Sequence, residues 1–344
     1  MSTLALIGLG SNLGDRRAIL DGAVAALAGT PGVEVRAVSS YHETAPTGGP
    51  GGQGAFLNAA AALETTRDPG PLHALLRAVE AQAGRIRTVR WGERTLDLDL
   101  LLFGDLVLDS PELQVPHPRM AVRRFVLAPL VEIAPAAIDP MTRRTVADLL
   151  ANLDRRPSYL ALEGPDGPLK RAVFLGVTAG LGALGLAGAE VVARRPIGTD
   201  PLVHRLDELE ARASRLDLRL WPADGLRDRW LVTDFCVPLD HGRALAPLIA
   251  LALKDRGVID RRYRPAVDRW EAAVRRALLP TFAVVIAGGP QPNRTPELSE
   301  EPLLWAESTD PQVVVAEILA ACAASRSGFG RPAPPIVGGA AVPL

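Results

Sequence analysis

The stretch Arg94-Thr95-Leu96-Asp97-Leu98-Asp99-Leu100-Leu101-Leu102-Phe103 is the strongest strand signal in the chain. Residues two apart in a strand share a face, so Leu96, Leu98 and Leu100 point into a core while Asp97 and Asp99 point together the other way. Two carboxylates about 7 Å apart along a strand repel unless a cation lies beside them. Hard oxygen donors of this kind suit Mg²⁺, usually held by one or two carboxylates plus substrate phosphates. An isolated Asp-x-Asp more often marks a solvated strand face, but the neighbours change that reading. Arg85, Arg87, Arg90 and Arg94 lie just upstream. Guanidinium groups beside a metal pair are what a polyphosphate needs, because phosphoryl transfer is mostly positioning and charge neutralisation.

Around this strand the first ~155 residues alternate between period-2 and helical patterns, as a mixed α/β domain does. Leu4 to Gly10 reads as a short buried strand. Asp15 offers an N-cap for an Ala/Leu-rich helix over Arg16 to Ala28, stopped by Gly29 and Pro31. Val33 to Tyr41 alternates as a strand, and a Gly/Pro-rich loop follows from Thr44 to Gly54. Phe56 to Glu64 predicts a further strand, Gly70 to Ala83 a helix, and the Arg-rich stretch Gly84 to Gly92 a mobile loop. The glycines of Gly8 to Gly14 do not make a dinucleotide loop: Gly8-x-Gly10-x-x-Leu13 lacks the third glycine and its acidic partner.

The pattern breaks around Asp154-Arg155-Arg156-Pro157, and Tyr159 to Glu163 reads as a new first strand. The expected domains are therefore 1–154 and 157–327, with a Gly/Pro/Ala tail over 328–344 expected to be disordered. In the second half, Trp230 to Phe235 and Thr281 to Ala287 are strand-like. Arg205 to Leu216, Ala244 to Lys254, Ala266 to Leu279 and Gln312 to Ala324 are helix-like. Ala172 to Ala189 is an uncharged run of 18 residues, at the lower end of the ~17–25 needed to cross a bilayer. Its Gly/Ala richness and lack of an aromatic belt favour a buried helix, so no membrane partner is expected.

The 344 residues, 48% hydrophobic and 22% charged, suit two domains at ~100–200 residues each. The 38 basic and 39 acidic residues give a net charge of -1, which leaves no overall basic field for nucleic acid or an anionic membrane. Only two of the basic residues, Lys170 and Lys254, are lysines. Cys236 and Cys322 are too few for a disulfide framework and fit a reducing cytosol. No basic n-region precedes the first apolar run, so no signal peptide is expected. A cytoplasmic location follows as the expectation.

Several stretches carry a resemblance. Gly8-Leu9-Gly10-Ser11-Asn12-Leu13-Gly14-Asp15, Phe56-Leu57-Asn58-Ala59 and Arg90-Trp91-Gly92-Glu93-Arg94-Thr95-Leu96-Asp97-Leu98-Asp99 come first. Val115-Pro116-His117-Pro118-Arg119-Met120 and Arg123-Arg124-Phe125-Val126-Leu127-Ala128-Pro129-Leu130 follow in order. From about Leu4 to Leu150 the chain resembles the 6-hydroxymethyl-7,8-dihydropterin pyrophosphokinases of the folate pathway. The resemblance implies an α+β domain, a ferredoxin-like sheet flanked by helices. It also implies transfer of the pyrophosphoryl group of ATP to the pterin's hydroxymethyl oxygen, with release of AMP. It implies catalytic roles for Arg85, Arg94, Asp97 and Asp99, the two aspartates holding two Mg²⁺. It places ATP at Glu80, Arg87, Arg90, His117 and Arg123. The pterin falls to Thr44, Ala45, Thr47, Phe56, Asn58 and Phe125, the two phenylalanines sandwiching the ring. The implied partners are the pterin and ATP, with no nucleic acid. The arginine loop from Gly84 to Trp91 is short for the family and has no lysine.

In the second half, Glu163-Gly164-Pro165-Asp166-Gly167-Pro168-Leu169-Lys170-Arg171 looks like an altered P-loop. Gly164 and Lys170 are in register, but Leu169 stands for the second glycine and Arg171 for the hydroxyl residue that would hold Mg²⁺. With Thr233-Asp234-Phe235 and Pro280 to Ile286, the region weakly resembles deoxynucleoside kinases. The expectation is a second α/β, P-loop-kinase-like domain without phosphoryl transfer, serving structure, regulation or homodimerisation. An unrelated α/β domain fits about as well. Two alternatives for the whole chain are a bifunctional enzyme with added nucleoside kinase activity and an inactive scaffold that binds a partner through its C-terminal domain.

Overall fold

A computed structural model describes residues 2–47, 49–85, 92–155, 158–165, 167–186, 201–216, 230–233, 263–274, 277, 280–287 and 302–328. By contacts the chain divides into two units, the first built on Met1–Asp154 and the second on Arg155–Pro290 with Leu303–Val315; residues 316–328 group with the first.

The first unit begins with β1 (Thr3–Ser11), α1 (Arg16–Ala28), β2 (Val33–Val38), β3 (His42–Thr44) and β4 (Phe56–Thr65). It continues with α2 (Pro69–Gln82), β5 (Asp97–Phe103), the short pair β6 (Leu108–Asp109) and β7 (Gln114–Val115), α3 (Arg124–Ile133) and α4 (Val146–Asp154). The main sheet runs β2-β4-β1-β5, with β3 also on β4, and every pairing is antiparallel. One sheet face buries Ile7, Leu9, Leu98 and Leu100 against Leu20 and Leu27 of α1 and Leu72 and Leu76 of α2. The opposite face buries Leu6, Ala60, Ala62 and Leu101 with Leu127 and Leu130 of α3 and Leu149 of α4. Burial on both faces explains why β1 and β5 read as near-continuous apolar runs rather than clean alternations.

Local chemistry sets the boundaries. The Asp15 side chain accepts from the Ala18 N–H at 3.1 Å and so caps α1 over the span expected from sequence. The strand expected over Val33 to Tyr41 instead ends at Val38 and resumes at His42. There the Ser39 hydroxyl accepts the Ala60 N–H at 2.9 Å in place of a strand carbonyl. A β-bulge separates Ile7, paired with Leu100, from Leu6, paired with Leu102, so Leu101 is an extra residue in β5. The arginine-rich stretch 86–91 lies outside the described residues.

The second unit contains β8 (Ser158–Glu163), α5 (Pro168–Leu181), β9 (Leu184–Leu186), α6 (Pro201–Arg215) and β10 (Trp230–Thr233). α7 (Arg264–Val274), β11 (Phe282–Ile286) and β12 (Leu303–Ala306) follow, and α8 (Pro311–Arg326) begins in this unit. Its sheet runs β12-β11-β8-β10-β9 with every pairing parallel. The run Ala172 to Ala189 is not one helix. Gly182 takes the left-handed conformation at φ 56°, its N–H returns to the Ala179 carbonyl, and α5 stops there before β9. No helix among the described residues is long and apolar enough to cross a membrane. The helix expected over Ala244 to Lys254, the residues Asp234, Phe235 and Cys236, and residues 329–344 lie outside the described set.

Candidate active site

Strand register builds the site. β1 lies between β5 and β4, with Gly10 facing Asp97 on one side and Asn58 on the other; Gly8 faces Asp99 and Ala60. In β3, His42 pairs with Asn58 and Thr44 with Phe56. Residues paired directly across a sheet share a face. Asp97, Gly10, Asn58 and His42 therefore form one row on the side that carries α3. The glycine keeps the floor of that row low: a Cβ at Gly10 would lie 3.3 Å from Asn58 Oδ1 and 3.9 Å from Phe56. A single cleft of the first unit is lined by Thr44, Ala45, Thr47, Phe56, Asn58 and Phe125, and by Arg94, Asp97, Asp99, Arg119 and Arg123.

The loop-strand junction before β5 is held by a residue that its spacing did not single out. The Asn12 N–H donates to the Arg94 carbonyl at 3.0 Å, and its Oδ1 accepts the Arg94 N–H at 2.7 Å. Its amide also donates to the Gly54 carbonyl at 3.3 Å. One asparagine thus ties the end of β1 to the arginine that enters the cleft and to the Gly/Pro loop beside it. Its only advance signal was its place inside the quoted Gly8 to Asp15 motif.

At the charged end, Arg85 reaches Asp97 Oδ1 at 2.6 Å and also pairs with Glu80, while Arg94 pairs with the other oxygen of Asp97. Glu80 is buried; its Oε1 also accepts the Leu98 N–H at 2.8 Å. Neither Glu80 nor Arg85 is among the residues that line the cleft, and Arg85 meets it through Asp97. Asp99 has His117 Nε2 at 3.8 Å and Arg123 at 3.7 Å. Burial acts to raise the Asp99 carboxyl, but positive charge from His117 when protonated, Arg123, Arg94 and Arg85 outweighs it, and Asp99 is held below the ordinary carboxylate range.

His117 is pushed down to about 4, first by burial and then by Arg123 and Arg119, against the opposing pull of Asp99. The Arg119 N–H donates to His117 Nδ1 at 3.1 Å. The neutral ring therefore carries its proton on Nε2, the atom directed at Asp99. A folded value below the usual 6.5 means that the unfolded chain binds the proton first. The stability His117 contributes is whole above pH 6.5 and is lost as pH falls from 6.5 toward 4. Imidazole ¹⁵N shifts of the folded protein will place the His117 midpoint near 4; a midpoint at 6.5 would refute a neutral ring in this site.

At the other end, Asn58 Nδ2 donates to Thr44 Oγ1 at 2.8 Å in a buried contact, leaving its Oδ1 over Gly10. Phe56 and Phe125 both reach the cleft, and the Arg123 guanidinium lies 5.6 Å from the Phe125 ring centroid. Arg119, not assigned a role from sequence, lines the cleft and depresses His117. Arg87, Arg90 and Trp91 lie outside the described residues. In oxygen donors the site fits Mg²⁺: two carboxylates share one strand face in the cleft, with Arg94, Arg119 and Arg123 beside them. Among the described residues no group of three or more His, Cys, Asp or Glu side chains could hold a metal alone, so water or substrate oxygens would complete the coordination.

In the second unit, the buried Lys170 opens α5 and its Nζ donates to the Gly164 carbonyl at 3.3 Å. Leu169 and Arg171 flank it.

The family model for 7,8-dihydro-6-hydroxymethylpterin-pyrophosphokinase matches residues 6–135. The 2-amino-4-hydroxy-6-hydroxymethyldihydropteridine pyrophosphokinase of Synechocystis is 42% identical over 150 residues, covering 44% of this chain and 76% of that protein. The protein of that name from Methylorubrum extorquens is 43% identical over 152 residues, covering 44% of this chain and 94% of its own length. A crystal structure of wild-type Plasmodium falciparum HPPK-DHPS aligns over 92% of this chain and 84% of that one, with 11% identity and a TM-score of 0.34. Identity at this level over nearly the whole of a relative is decisive, and the chain belongs to the 7,8-dihydro-6-hydroxymethylpterin-pyrophosphokinase family.

Proposed function

We propose that the unit built on Met1–Asp154 transfers the pyrophosphoryl group of ATP to the hydroxymethyl oxygen of 6-hydroxymethyl-7,8-dihydropterin, releasing AMP, in folate biosynthesis. The observation that carries this reading is one cleft with a carboxylate-arginine end and an aromatic-amide end, joined by the low floor of Gly8 and Gly10. The hydroxymethyl oxygen bonds to the β-phosphorus as the bond from that phosphorus to the α,β-bridging oxygen breaks; the bridging oxygen leaves with AMP, and the hydroxyl proton is released to solvent.

Asp97 and Asp99 are the residues that would hold two Mg²⁺. Bound there, the ions would neutralise the polyphosphate and draw charge from the reacting phosphorus. Arg94 and Arg123, on the cleft wall, clamp the phosphate oxygens, and Arg85 supports them through Asp97. His117, neutral with its proton on Nε2, donates one hydrogen bond to a phosphate without adding a charge that would compete with the arginines. Glu80 acts through Arg85. Phe56 and Phe125 stack on the two faces of the pterin, while the Asn58 amide and the backbone of Thr44 to Thr47 read its edge. Arg87 and Arg90 complete the ATP set.

The sheet of this unit is read as ferredoxin-like, and 157–327 as a degenerate nucleoside-kinase-like domain that does not transfer phosphate and serves structure or homodimerisation. The parallel sheet with its first strand, β8, at the centre supports that reading. Leu169 and Arg171, where a phosphate loop needs glycine and a hydroxyl, argue against catalysis there. The cytosol is the proposed location.

The test is AMP release from Mg²⁺-ATP by the full-length protein, with and without the pterin. Pterin-dependent AMP is the expected result. No AMP from folded protein, or AMP formed equally without pterin, would overturn the assignment.

A further inference from the structure

The row Asp97, Gly10, Asn58, His42 does not end in the cleft. Its last member, His42, places Nε2 2.6 Å from Oε1 of Glu132 on α3. Ser40 adds its N–H to Glu132 Oε2 at 2.7 Å and its hydroxyl to both carboxylate oxygens at 2.7 Å. The three side chains superficially match a hydrolase triad. The geometry excludes one: the serine oxygen, at 3.2 Å, and the carboxylate approach the same ring nitrogen, so the ring cannot relay a proton between them.

What the cluster does is join two elements. Glu132 is seven residues beyond Phe125, two helical turns, so both lie on nearly the same face of α3. His42 and Thr44 are two apart in β3 and share its face. The cluster therefore fastens α3 to β3 at one point, and Phe125 and Thr44 face the cleft from the same two elements. A carboxylate that accepts from a backbone N–H, a hydroxyl and an imidazole makes a short, directional link with little freedom to slide.

We propose that Ser40, His42 and Glu132 form a positioning clamp. It sets the separation between the Phe125 wall and the Thr44–Asn58 wall, and so the fit of the flat heterocycle between them. The inference rests on the pyrophosphokinase reading for the identity of that heterocycle. Misplacement by about 1 Å of a group that orients substrate can cost about 100-fold. The loss of an indirect clamp is set at about 10-fold in pterin KM on that scale.

The experiment measures pterin KM, ATP KM, kcat and pterin binding by fluorescence for the full chain and for Glu132→Ala, Glu132→Gln and Ser40→Ala. Glu132→Ala is expected to raise pterin KM and Kd about 10-fold, with ATP KM held within about twofold. Glu132→Gln keeps an acceptor for Ser40 and recovers most of the loss. Ser40→Ala keeps the His42–Glu132 contact, gives an intermediate value, and stands in if Glu132→Ala does not fold. Unchanged pterin binding in the folded variants overturns the clamp. So does an equal rise in both KM values without rescue by glutamine, which would mark a general structural role. A wild-type chain that binds pterin but releases no AMP overturns the activity assignment instead, and the binding series still decides the clamp.

Discussion

Asp97→Asn is expected to lower kcat by about two to three orders of magnitude while leaving pterin affinity within about threefold, on the scale of losing one preorganised electrostatic contact to a transition state. Asparagine matches the shape and keeps an oxygen for one of the two arginines, and Arg85 retains Glu80. What disappears is the negative charge that Arg85 and Arg94 both address and that a divalent cation would need. The substitution leaves Phe56, Asn58 and Phe125 unchanged at the other end of the cleft, which separates the two readouts. Steady-state AMP release beside fluorescence-detected pterin binding checks both. Turnover near the wild-type rate would refute the metal-holding role, and loss of pterin affinity would show that the two ends of the cleft are not independent.

The second large effect is on stability. Glu80→Ala removes the carboxylate that pairs with Arg85 and accepts the Leu98 N–H, and the side chains of Glu80 and Arg85 are only 5% and 9% exposed. Arg85 keeps Asp97 as a counter-charge, but losing one charge-assisted hydrogen bond and leaving the buried Leu98 N–H without its acceptor costs about 2–4 kcal/mol. For a domain of about 150 residues that is a fall in Tm on the order of 10 °C. Glu80→Gln keeps acceptor oxygen for both partners and loses less. A direct ATP ligand would behave differently: the glutamine variant would weaken ATP binding at an unchanged Tm, and that result would place Glu80 on the nucleotide. Thermal unfolding and ATP KM of the two variants separate the cases.

Much of this site is legible in the sequence because strand periodicity is rigid. Once Thr95 to Phe103 is read as a strand, Asp97 and Asp99 must share a face, and the structure puts both in the cleft. The α1 boundaries follow from a side-chain cap and a glycine stop, which are local signals. The less legible parts depend on pairs distant in sequence. Nothing local announces that Glu132 will meet His42, 90 positions earlier, or that Asn12 will hold the backbone of Arg94. Tertiary context also divided the run Ala172 to Ala189, whose composition alone favours a continuous helix; a left-handed Gly182 ends α5 and the chain enters β9 instead. The resemblance supplied roles for Glu80 and His117. The geometry added the features that composition cannot hold, namely that Glu80 grips Arg85 and that His117 keeps its proton on Nε2.

The central place of β8 in its parallel sheet has a consequence for synthesis. All six of its residues are buried, and its partners β10 and β11 come much later in the chain. β11 starts about 120 residues after β8 ends. At translation rates of roughly 5–20 residues per second, this apolar strand waits on the order of 6–24 s before both of its edges can be covered. The first unit has no such delay after Asp154, since all of its main-sheet strands have been made by then. Ribosome-bound chains halted between β8 and β11 are the species in which this protein is most exposed to chaperones and to self-association.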